Sequence, residues 1–123
     1  MRVLKRVVIG MLALVAIAYC VMYHSLSLQI AFADDQVDIV EYMKVKALES
    51  DPNKNPSGSV DFLEGIVQYY PSGTKQHHGS KLDRIVENAR SNAIKEVIAF
   101  LRDKLMIDLG DDPQSWIEHF RGK

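Results

Sequence analysis

From Val7 to Tyr23, seventeen consecutive residues carry no charge, and Gly10 is the only one that is not hydrophobic. As a helix this run covers about 25 Å at 1.5 Å per residue. Continuing through His24 to Ile30 takes it past a hydrocarbon core of about 30 Å, with His24, Ser25, Ser27 and Gln29 the only polar additions. Arg2, Lys5 and Arg6 precede the run, and no acidic residue occurs before Asp34. The positive-inside rule keeps the first residues in the cytoplasm and exports everything after Tyr23.

Two fates follow from this pattern. Ala31-Phe32-Ala33 ahead of Asp34-Asp35 is an acceptable small-x-small cleavage site, which would give a protein secreted after cleavage following Ala33. The apolar run is longer than a signal h-region of about 7–15 residues, and the site lies far beyond Tyr23. An uncleaved anchor in a bacterial cytoplasmic membrane, with the rest of the chain in the periplasm, is therefore the preferred expectation. Tyr19 before Cys20 is too bulky for a lipobox, so Cys20 is read as a small apolar residue of the span.

Beyond Asp35 the period becomes helical. Val37, Val40, Met43 and Ala47 recur at steps of three and four within residues 36–49, although the β-branched content leaves a strand open for Val37 to Val45. Two prolines, two asparagines and a glycine between Asp51 and Gly58 predict a loop. A short helix is expected from Val60 to Tyr70, capped by Ser59, with Leu63, Ile66, Val67 and Tyr70 on one face. Gly65 inside it suggests that a neighbouring helix crosses closely there. Pro71 to Gly79 forms a second loop.

The strongest helical pattern runs from Lys81 to Ile107, opened by a Ser80/Asp83 capping box. Leu82, Ile85, Val86, Ala89, Ala93, Val97, Leu101 and Leu105 follow one side, with Ile94, Ile98 and Met106 beside them. Arg84, Glu87, Arg90, Lys95, Glu96 and Asp103 fall on the other side, and Gly110 supplies the stop. Asp112 and Pro113 start a last helix to Phe120, whose Trp116, Ile117 and Phe120 share a docking face aimed at Val97, Leu101 and Leu105. Trp116 is expected to be a core anchor. The fold class is thus all-α: a transmembrane or signal helix in residues 1–33, then a small bundle of about four helices in residues 34–123.

Charge sharpens the division. The 90 residues from Asp34 onward hold all 16 acidic residues and carry a net charge of −4, which argues against a nucleic-acid partner. They contain no cysteine, so that part has neither a disulfide nor a thiolate metal site.

The loop Pro71 to Ser80 is the most suggestive chemical feature. Lys75, His77 and His78 approach a helix N-terminus that continues with Ser80, Lys81 and Arg84, a set that would suit an anion or a small ligand. Gly73-Thr74-Lys75 does not match the P-loop order, so no nucleotide is expected. The competing reading is a solvated connector. His77 and His78 point apart on an extended loop, and Asp83, Asp111, Asp112 and His119 lack a ligand spacing, so no metal is expected. Asp108 to Asp112 lacks the alternating ligands and closing Glu of a calcium loop. No catalytic residue or cofactor is assigned, and nothing in the spacing supports an enzyme.

The stretch Ile94 to Phe120, with its helix ending at Leu109-Gly110, then Asp112-Pro113 and Trp116-Ile117, resembles a tail of uncharacterised single-span envelope proteins of planctomycete-type bacteria. It is also similar to the ends of some HEAT-like helical modules. The resemblance implies an envelope location and carries over no catalytic residue. The expected function is a membrane-tethered extracytoplasmic interaction or structural module. Its partners would be the inner membrane, through the N-terminal helix, and an envelope protein. The alternative is a small ligand-binding or enzymatic accessory domain using the Lys75-His77-His78 loop.

Overall fold

The computed structural model describes residues 1–122, and its fold is all-α. Four helices occur in the order α1 (Arg2–Glu49), α2 (Pro56–Gln68), α3 (Lys81–Leu105) and α4 (Pro113–Arg121). No strand occurs among the described residues, so the β-branched segment Val37 to Val45 is helical.

The defining element is α1. Its 48 residues extend over roughly 72 Å at 1.5 Å per residue. After Gly10 neither glycine nor proline occurs until Pro52, so nothing in the chain breaks the helix where apolar sequence gives way to polar. The apolar run therefore passes directly into the helix expected from Gln36. Its first two-thirds are exposed on every face, including Leu12 at 64%, Ile17 at 60% and Val21 at 63%. From Ala33 a single face is covered: Ala33, Gln36, Val40 and Ala47 are buried and Met43 is partly buried, an alternating three-four spacing.

α2 begins four residues earlier than the sequence reading placed it. Pro56 occupies the first helical position and Asn55 is the N-cap, its side chain accepting from the Gly58 amide at 3.3 Å. Ser59, expected as the cap, instead lies buried inside the first turn and donates to the Ala47 carbonyl at 3.1 Å. At Gly65 a Cβ would sit 3.4 Å from Met43 Sδ of α1, an ordinary contact with a flexible side chain rather than with the α1 backbone. The helix ends at Gln68 rather than Tyr70, which takes a positive φ of 39°.

α3 ends at Leu105, with Met106 in the left-handed conformation at φ 55°. The stop expected at Gly110 therefore comes earlier. Met106 is 86% exposed and Ile85 55% exposed, so neither belongs to the buried side. Arg90, expected on the solvent side, is buried. α4 starts as its sequence indicates, with Pro113 first and Asp112 accepting from the Gln114 amide at 3.1 Å.

α1 and α3 run in the same direction: Gln36 meets the loop before α3, and further along Lys44 pairs with Glu96 at 3.2 Å. α2 returns between them. The core joins Val40 and Ala47 to Leu63, Ile66, Val97 and Leu101, and Trp116 is fully buried in it. α4 packs chiefly along α2 rather than α3, with Arg121 reaching Asp61 and Glu64. The Trp116 indole N–H donates to the Gly110 carbonyl at 2.9 Å, so the turn that aims the helix also satisfies its largest side chain.

Candidate functional site: the end of the bundle nearest the apolar helix

The loop between α2 and α3 closes the end of the bundle nearest the apolar part of α1. Asp83, in the first turn of α3, organises it. Its carboxylate accepts from Ser72 Oγ at 2.5 Å, from the Gly79 amide at 2.9 Å and from the Gly73 amide at 3.1 Å. The Ser72 hydroxyl, and then the Gly79 amide, hold this carboxyl below its ordinary value, against the opposing effect of burial. Gly73 and Gly79 have φ of 83° and 75°, a region that disfavours a Cβ, so both amides turn inward at positions suited to glycine.

Only half of the expected capping box forms. Ser80 Oγ accepts from the Asp83 amide at 3.2 Å, but the Ser80 amide donates to the His77 carbonyl at 2.9 Å instead of to Asp83. The Asp83 carboxylate is committed to the loop. It thus supplies the negative charge at the start of α3 from within the chain.

The candidate residues separate. Lys75 lies over the rings of Tyr70 and Phe32, 4.6 Å and 5.2 Å from their centroids. His77 is exposed and, with Gln29 and Lys75, borders a second, shallow depression. His78 is exposed and its Nδ1 lies 2.8 Å from Ser72 Oγ. Lys81 and Arg84 project from the first turn of α3 without a hydrogen-bonded or ionic partner among the described residues. The loop therefore does not gather Lys75, His77, His78, Ser80, Lys81 and Arg84 around one point.

His78, Ser72 and Asp83 are in contact, but in the wrong order for nucleophilic catalysis. A nucleophilic serine needs the histidine between itself and the acid. Here Ser72 stands between them and gives its proton to Asp83, leaving its oxygen to accept from His78. The chain orients a loop and does not activate a hydroxyl. Among the described residues no three His, Cys, Asp or Glu side chains are grouped to hold a metal ion.

A cleft of about 290 Å³ opens beside the loop, bounded by Phe32, Asp35, Gln36, Asp38 and Ile39 of α1 and by Tyr69, Tyr70 and Lys75. Gln36 lies at its base, 3% exposed. Its Oε1 accepts from Gln76 Nε2 at 2.6 Å, while its Nε2 has no hydrogen-bond partner. Burial pushes the Tyr69 phenol up. The wall behind Tyr69 and Tyr70 is fixed by Arg90, whose Nη2 donates to both their carbonyls, to Tyr70 at 2.6 Å, and whose Nη1 pairs with Glu87 at 2.9 Å. Arg90 thereby satisfies carbonyls that the end of α2 leaves free.

Of the loop residues singled out in the sequence, only Lys75 borders this cleft. Sequence reasoning missed Asp35, Gln36, Asp38, Tyr69 and Tyr70 as site residues. One pointer existed: Gln36 is the polar member of the three-four stripe that starts at Ala33. Compared with known proteins, the chain matches no family model, no curated protein and no solved structure.

Proposed function

We propose that this chain is a membrane-tethered extracytoplasmic helical module, in which α1 is both the membrane span and the first helix of the bundle. One observation carries the reading: the exposed apolar helix continues without a break into the buried stripe Ala33, Gln36, Val40 and Ala47. An apolar surface exposed on all sides over some thirty residues is costly in water and favourable in lipid. Arg2, Lys5 and Arg6 favour an orientation with the bundle outside the cytoplasm.

The same geometry supports retention of the span over cleavage after Ala33. Ala33 is 4% exposed, and Phe32 lies under the Lys75 ammonium. Cleavage would remove both from a packed end of the bundle. With no flexible linker after the span, the module is held close to the bilayer as a structural or protein-binding element of the envelope. A ligand-binding role is the second reading; the specific observation in its favour is the cleft with the unpartnered Gln36 amide, not the two histidines.

Expression of the full chain with a reporter active only in the periplasm, fused after Lys123, tests the topology. The reporter should be active and the protein should remain in the membrane pellet after alkaline carbonate extraction. Activity of a cytoplasm-only reporter at that position, or release by carbonate, contradicts the proposal.

A further inference from the structure

Val7 to Ile30 covers about 36 Å along α1, against a hydrocarbon core of about 30 Å and headgroup layers of about 5–7 Å on each side. A tilt within the usual range brings the excess length into the core, with Gln29, which borders the α2–α3 loop, at its outer edge. The exposed side chains of Leu28, Ile30 and Phe32 favour that seating over a shallower one. The outer headgroup layer then begins at Ala31 and extends to Gln36. The cleft between α1 and the α2–α3 loop opens at this depth.

Its chemistry has two signs. Asp35 and Asp38 contribute carboxylates that have no ionic partner among the described residues. Lys75 contributes an ammonium, and the buried Gln36 closes the base with its amide nitrogen sealed from solvent. Tyr70 adds an aromatic side chain of the kind favoured at a membrane interface.

Resting on the membrane reading above, we propose that this cleft holds the headgroup of a zwitterionic phospholipid with a primary ammonium, of the phosphatidylethanolamine class. Its phosphate oxygens face Lys75, and its ammonium faces Asp35 and Asp38. A primary ammonium donates hydrogen bonds to carboxylates, whereas a quaternary choline cannot. The aromatic faces that would suit choline are already occupied by Lys75. A purely anionic headgroup would meet two uncompensated carboxylates.

The test uses the full chain purified in detergent and titrated with phosphatidylethanolamine, phosphatidylcholine or phosphatidylglycerol of identical acyl chains, with bound lipid counted by native mass spectrometry. Phosphatidylethanolamine should be preferred over each of the others by about fivefold, the size of one or two partly exposed charge contacts. The exposed double substitution Asp35→Asn/Asp38→Asn should bring that preference below about twofold, and Lys75→Gln should weaken retention of the ethanolamine lipid. Soluble glycerophosphoethanolamine at the same concentration should not compete. Equal retention of the three lipids, a preference that survives the double substitution, or full competition by the soluble headgroup overturns the assignment. Carbonate extraction separates the two levels: a membrane-embedded chain without lipid preference removes only the headgroup assignment, whereas a chain released as a soluble protein removes the membrane reading and this one with it.

Discussion

Gln76 Nε2 donates to Gln36 Oε1 at 2.6 Å, joining the α2–α3 loop to α1 across forty residues of sequence. Both side chains are buried, and the bond lies where the exposed apolar part of α1 becomes a core helix. Gln76→Leu should leave the Gln36 amide wholly unpaired and cost about 1–3 kcal/mol. Gln36→Leu/Gln76→Leu removes both partners and should recover most of that loss. Chemical denaturation of the full chain in detergent, followed by Trp116 fluorescence, measures both. Equal destabilisation by the single and double substitutions would show that the pair contributes by shape alone.

Asp83 makes the acid response of the bundle specific. Its folded-state value lies below the ordinary 3.8, so its stabilising contribution is complete above that value and is lost as pH falls through the lower folded-state value. The melting temperature should therefore stay level from neutrality to about pH 5 and fall below about pH 4. Asp83→Asn should lower stability at neutral pH and flatten the fall at low pH. An unchanged acid limb in this variant would remove Asp83 from the explanation.

Much of the fold is legible in the sequence because its signals are local. Asp112-Pro113 starts α4 at the expected place, and the spacing of Trp116, Ile117 and Phe120 marks one face. The misplaced boundaries have nonlocal causes or closely matched local alternatives. Ser59 is a good N-cap in isolation, but Asn55-Pro56 starts the helix a turn earlier and the Ala47 carbonyl takes the Ser59 hydroxyl. Arg90 is drawn out of the polar face by carbonyls twenty and twenty-one residues away. The cleft was harder still: a loop rich in Lys and His attracts attention, whereas the unpaired amide belongs to a glutamine on an apolar stripe. Only packing makes that glutamine distinctive.

Trp116 is fully buried, with its indole N–H satisfied by Gly110. Trp116→Ala should cost about 3–5 kcal/mol. Emission of the native protein should be blue-shifted and resistant to iodide. Emission like that of free tryptophan in water, with an unchanged melting temperature for the variant, would place this residue on the surface.

Gly65 tests the α1–α2 crossing. A Cβ there would meet the flexible Met43 side chain at 3.4 Å, a contact that methionine can relieve. Gly65→Ala should be neutral or stabilising by up to about 1 kcal/mol, because alanine is the better helix former. Gly65→Leu should instead destabilise by about 1–3 kcal/mol as the helices are forced apart. Thermal denaturation of the two variants distinguishes a close crossing from an open one, in which leucine would be accepted as readily as alanine.

The central claim is that one uncleaved helix serves as both membrane span and core element, and the intact mass of the protein recovered from cells, with sequencing of its N-terminus, tests it most directly. The account requires a membrane-bound species that retains Arg2, Lys5 and Arg6 ahead of the apolar run. A mature protein that begins at Asp34 and is recovered without detergent would contradict it.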